Sequence, residues 1–162
     1  MLAGSPEEDK GPARLLKSRA VRKILAFLLP LVLWAATAQA GEVLILKATA
    51  YTSSPRETDR TPYVTATGAK TRLGVLAVSR DLLEKELPYG SLVRLYDLGR
   101  WQDGKGAGAF DPLFKGLLFV VEDTMNKRKR QQIDVWLPDR SLALKFGVRR
   151  IKVVVVRRGR GP

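Results

Sequence analysis

The feature that most limits this chain is a charge-free apolar run, Ile24 to Ala36, set behind the cations Lys10, Arg14, Lys17, Arg19, Arg22 and Lys23. A basic stretch, an apolar stretch and then small residues at Ala38-Gln39-Ala40 is the pattern of a secretory leader. The run is far shorter than the roughly 20 residues a membrane-spanning helix needs. The expectation is a signal peptide over residues 1–40, cleaved after Ala40, with export to the periplasm or cell envelope. Of the 162 residues, 122 then remain from Gly41 onward, which is room for one domain.

Two absences narrow the chemistry of that domain. The chain contains no cysteine and no histidine, which rules out disulfides, thiolate zinc sites, Ser-His or Cys-His nucleophiles and an imidazole base. No metal and no cofactor is expected. Any proton transfer falls to Asp, Glu, Lys or Tyr, and near neutral pH the carboxylates are the natural candidates.

Charge points to the partner. The chain has 29 Lys and Arg against 16 Asp and Glu; removing the six cations and three acids of residues 1–40 leaves a net charge of +10. In an exported chain this suits anionic envelope polymers or a lipid headgroup surface, and it disfavours nucleic acid. Solubility alone is the plain alternative.

The remainder reads as short strands separated by turn signals. Apolar or alternating runs occur at 43–51, 73–78, 91–96, 117–121, 133–137 and 151–156, each of strand length. Residues 52–71, rich in Thr, Ser and Pro, form a long polar loop of the kind that often carries function. A helical turn is expected over 81–86. A helix is expected over Arg140 to Phe146, capped by Asp139 and ended by Gly147. Residues 97–116 hold five glycines and are expected to be an irregular insertion, a flap over a groove or a mobile hairpin; the chain ends in a basic tail. Six strands with one convincing short helix favour an all-β fold with minor α content, closed as a small barrel.

Several segments follow one another in a familiar order: ATAYT at 48–52, TATG at 65–68, LAVSRDLL at 76–83, PYGS at 88–91, VEDT at 121–124, IDVW at 133–136 and KFGVRRIKVVVV at 145–156. Together they resemble the 3D (Asp-Asp-Asp) domain family, found in the C-terminal part of membrane-bound lytic transglycosylase A and in wall hydrolases. The resemblance spans about Ala48 to Val156. It implies a six-stranded double-psi β-barrel acting on peptidoglycan glycan strands.

By that resemblance Asp134 is the catalytic general acid/base and Asp123 its neighbour across the groove, at the family spacing of eleven positions. Two nearby carboxylates in a partly desolvated cleft are the arrangement in which one keeps its proton. Thr49, Tyr51 and Thr52 match the family's first-strand rim and are candidate substrate-binding residues. Trp136, two residues from Asp134 and so on the same side of its strand, is a fourth. Outside the resemblance, aspartates at strand ends also serve as turn and capping residues, and Thr and Tyr on a rim also reflect β-propensity.

The chain departs from the pattern at two places. Ser79 stands where the family has its first aspartate, with Asp81 two residues later, and Met125 to Arg130 puts bulky cations where the family has a glycine-rich segment. Two readings follow: a lytic transglycosylase or related glycosidase of cell-wall turnover, or a non-catalytic, expansin-like barrel that binds peptidoglycan.

Overall fold

The computed structural model describes residues 41–54 and 62–160. Residues 1–40, over which a leader is expected, residues 55–61 of the polar loop and the last two residues lie outside the described part. The elements, in chain order, are β1 (Val43–Tyr51), β2 (Val75–Val78), α1 (Arg80–Glu84), β3 (Leu92–Arg100), α2 (Asp111–Phe114), β4 (Phe119–Thr124), β5 (Gln132–Trp136), α3 (Arg140–Phe146) and β6 (Arg149–Arg157).

The six strands close into a barrel in the order β1-β5-β2-β4-β3-β6. The pairs β1/β5 and β2/β4 are parallel and the other four are antiparallel. Two ββαβ units, β1-β2-α1-β3 and β4-β5-α3-β6, make up the ring. Exchanging one unit for the other reproduces the same ring of neighbours, and every seam joins a strand of one unit to a strand of the other. This is the six-stranded double-psi β-barrel expected from the sequence.

The interior follows from strand alternation. Leu46 and Ala48 from β1, Leu76 and Val78 from β2, Ile133 and Val135 from β5, and Ile151, Val153 and Val155 from β6 all turn inward and are buried together. The helices contribute Leu82 and Phe146 to the same core. Asp139 starts α3 by accepting from the Leu142 N–H at 2.8 Å, and Gly147 ends it at φ 60°, where a side chain would be strained.

Beyond the expected helical turn (α1) and helix (α3), the described residues include a further helical segment, α2, and the glycine-rich insertion is not irregular throughout. Its first residues extend β3 to Arg100, and α2 lies within it. The reason is a buried ion pair that composition does not reveal. Arg149 Nε donates to Asp97 Oδ1 at 2.7 Å, with the two side chains 5% and 0% exposed. Asp97 also accepts from the N–H groups of Gly99 and Phe110, and the Arg149 guanidinium lies 4.9 Å from the centre of the Phe110 ring. Phe110 meets Phe146 edge-on and Phe114 meets Phe119 edge-on, so the insertion is packed against the core. Gly99, at φ 97°, is required where it is, because a Cβ there would collide with the Gly104 carbonyl.

Candidate functional site

The outer faces of β1, β5, β2 and β4 carry one row of residues in register. Thr49 pairs with Asp134, Asp134 with Ala77, and Ala77 with Asp123. The two aspartates therefore sit two strands apart, about 10 Å between backbones at ordinary strand spacing, with the smallest chiral side chain between them. Both lie within their strands, not at the boundaries expected from the sequence.

Asp123 owes its position to a bulge. Leu76 pairs with Val121 and Ala77 with Asp123, so Glu122 is the extra residue on β4. Strict alternation would send Asp123 to the same side as buried Val121; the inserted residue brings it to the outer face beside Ala77.

The polar loop supplies the next layer. The TATG segment turns at Gly68, whose N–H donates to the Thr65 carbonyl, and is held to β4 by the Thr67 N–H on the Glu122 carbonyl. This brings the Ala66 N–H to Asp123 Oδ1 at 3.1 Å, beside the Thr124 N–H at 2.9 Å. The Tyr51 hydroxyl donates to the other oxygen at 3.1 Å. Three donors thus fix both oxygens of Asp123. Asp134 accepts from Thr49 Oγ1 at 2.9 Å, and Thr49 is itself approached by Gln132 Nε2 at 3.3 Å.

Tyr51 is a donor that does not readily let go of its proton. Its burial, and then the negative charge of Asp123, hold the phenol far above its ordinary range. Tyr89 is shifted the same way, by burial first and Asp123 second, with a hydrogen bond to Thr124 working against the shift.

Asp123 and Asp134 face a cleft of about 360 Å³, walled by Tyr51, Thr65, Ala66, Ala77, Thr124 and Met125 among others. A second hollow of about 350 Å³ is lined by Thr52, Ser53, Tyr63, Trp136 and Arg140, and Thr71 lines both. Trp136 packs against the small cluster of Tyr51, Ala77 and Met125, and its indole N–H donates to Ser53 Oγ at 3.0 Å. Among the described residues no group of acids is arranged to hold a metal ion.

The structure thus brings Thr49, Tyr51, Asp123 and Asp134 into one site, and places Thr52 and Trp136 at the adjoining hollow. Thr52 is buried, at 6% exposure, so its side chain is a wall of that hollow more than a rim. The basic segment differs from expectation: Met125 is buried under the cleft and Lys129 lines it, while Lys127 and Arg130 line a separate hollow with Arg80 and Asp81. Ser79 is fully buried and its Oγ accepts from the Gln132 N–H; it does not line the cleft. Sequence reasoning missed Ala77, Thr65 and Ala66. Ala77 was visible as the one small residue in an otherwise bulky strand, VLAV.

No protein-family profile and no curated protein matches this chain. Among solved structures, it is similar to a point mutant of the Clavibacter michiganensis expansin in complex with cellohexaose, at 16% identity over 75% of this chain and 54% of that one, with a TM-score of 0.39. It is also similar to MltA from E. coli, at 18% identity over 64% of this chain and 30% of that one, with a TM-score of 0.39. The chain spans about half the length of the first and under a third of the second.

Proposed function

We propose that this chain is an exported peptidoglycan-active protein whose barrel cleft holds a glycan strand and cleaves it through Asp134, with Asp123 as its fixed partner. The observation that carries the reading is the in-register row of Thr49, Asp134, Ala77 and Asp123 opening on one cleft. Ala77 leaves space over the strand between the acids, and Thr49 orients Asp134 toward it.

In the proposed reaction Asp134 delivers its proton to the glycosidic oxygen as the bond from that oxygen to C1 breaks. The resulting carboxylate then takes the proton of the muramyl C6 hydroxyl, whose oxygen bonds to C1 and closes a 1,6-anhydro ring. The proton given is recovered and no water is consumed, so one acid serves both steps, unlike the two-carboxylate glycosidases. Asp123, with both oxygens engaged by three donors, holds the cleft wall and presents negative charge beside the ring that develops positive charge.

That same engagement favours a second reading, a binding barrel with no bond cleavage, because a carboxylate so held is already spent on structure. Incubating the protein and its Asp134→Asn variant with intact sacculi separates the two. New anhydromuramyl ends from the native protein alone support the first reading, and new reducing ends indicate a hydrolase. Neither product, with both proteins sedimenting with sacculi, leaves only the binding barrel.

A further inference from the structure

The ring order places β6 diametrically opposite β2, the strand at the centre of the cleft row. β6 and its neighbours β1 and β3 therefore present a second outer face, turned away from the cleft. β1 serves both: residues 47–51 pair with β5 and residues 43–48 with β6.

This back face has a definite chemistry. Its outward positions carry Lys47, Arg94, Arg150 and Lys152, and no carboxylate projects from the outward positions of β1 from Val43 to Lys47, of β3 or of β6. Asp111, which lines a groove with Arg94 and Tyr96, is turned onto the Asp97 N–H at 2.8 Å. The cleft face, by contrast, carries Glu122, Asp123 and Asp134.

The cations are interleaved with apolar and aromatic side chains. One row runs Ile45, Lys152, Tyr96 across the three strands, and the next runs Val43, Val154, Arg94. The Lys152 ammonium sits 4.5 Å from the centre of the Tyr96 ring, and the Arg150 guanidinium 5.5 Å from that of Trp101. Val43, Ile45 and Val156 are each more than half exposed. Solvated basic faces do not need exposed valine and isoleucine. A surface that meets headgroups and the first carbons of acyl chains does, with aromatics at the boundary and Lys and Arg reaching phosphate.

We infer that the outer face of β1, β6 and β3 docks on an anionic phospholipid membrane, holding the cleft away from the bilayer. The inference is independent of what the cleft does. Positive charge favours an anionic surface, and the interleaved apolar side chains select a bilayer over a hydrated polyanion.

All six seams and the core lie within residues 41–157, so the chain from Gly41 folds on its own and can be tested without the leader. It is expected to sediment with phosphatidylglycerol-rich vesicles and not with phosphatidylcholine alone, losing affinity as salt rises. Each Lys or Arg near an anionic surface strengthens binding about fivefold, so Arg94→Ala with Lys152→Ala weakens it by about 25-fold. The equal charge loss of Lys127→Ala with Arg130→Ala, at a different part of the barrel, has little effect. Ile45→Ser weakens vesicle binding at unchanged charge, and circular dichroism checks that each variant is folded. Three results overturn the inference: no binding to the anionic vesicles, equal loss from both double variants, or insensitivity to Ile45→Ser with soluble polyphosphate or DNA bound as tightly as vesicles. The last would mean a polyanion site.

Discussion

Two carboxylate systems in this barrel solve opposite problems. Asp97 is sealed beneath the insertion and saturated by Arg149 and backbone donors, with the Arg149 guanidinium over the Phe110 ring. Asp123 and Asp134 face a cleft, are positioned by hydroxyls and loop N–H groups, and have an alanine where a bulky strand residue would otherwise stand. A charge paired and buried this way organises a fold; Asp123, though held by three donors, and Asp134 line an open cleft. Carboxylate count does not distinguish them. The donor set and the neighbouring volume do.

The sharpest way to break this comparison is Arg149→Met. Removing one partner of a buried pair leaves the other unpaired, and a loss of about 3–5 kcal/mol is expected in denaturant unfolding. A loss under about 1 kcal/mol would mean that Asp97 relaxes to water and that the two systems are alike. Asp134→Asn should do the reverse: unfolding changes by less than about 1 kcal/mol, while glycan cleavage falls about 100-fold or more. Ala77→Leu sharpens the point by leaving both acids intact and filling the gap between them. It is expected to abolish sacculus cleavage and to weaken sedimentation with sacculi.

A smaller effect comes from Tyr51→Phe, which removes one of Asp123's donors and costs about 1 kcal/mol near neutral pH. Its pH dependence has a definite sign. The folded state holds the Tyr51 proton more tightly than the unfolded state, so the resulting stability is complete below about pH 10 and is lost as pH rises above it. The variant lacks that loss, and the gap between the two proteins closes in alkaline urea titrations. A gap that stayed constant would mean that neither burial nor Asp123 raises the Tyr51 phenol in the folded state.

The smallest effect concerns Asp81. Burial, the largest single influence, pushes its pKa up, but hydrogen bonds from Ser79 and from the Gln131 side chain and N–H together outweigh this and bring it down to about 2. A depressed carboxyl contributes stability above its unfolded value, lost as pH falls from about 4 toward 2. Asp81 is only half-buried, so solvent screens this contribution, and the acid limb should be shallow and should disappear in Asp81→Asn.

Much of this was legible in the chain because it depends on alternation and local propensity. β1 was readable residue for residue, Asp139 and Gly147 bracket α3 as expected, and the side shared by Asp134 and Trp136 follows from period two. The bulge at Glu122 was not legible, since VVEDT has no glycine or proline to mark it. Nor was the packed insertion, because the pairing of Asp97 with Arg149 spans 52 positions and glycine content argued the other way. The cations of 127–130 were readable as a cluster, but not that only Lys129 would reach the cleft.

The alternation of units around the ring also dictates when this domain can appear during synthesis. Neither β1-β2-α1-β3 nor β4-β5-α3-β6 contains a strand pair of its own. A nascent chain that ends before β4 therefore has none of these six strands paired, and β1 has no partner among them until β5 is made. The last strand, β6, closes the ring against both β1 and β3. With so many contacts between distant residues, folding is slow compared with helical domains of this size, and closure of the ring waits until β6 has been made.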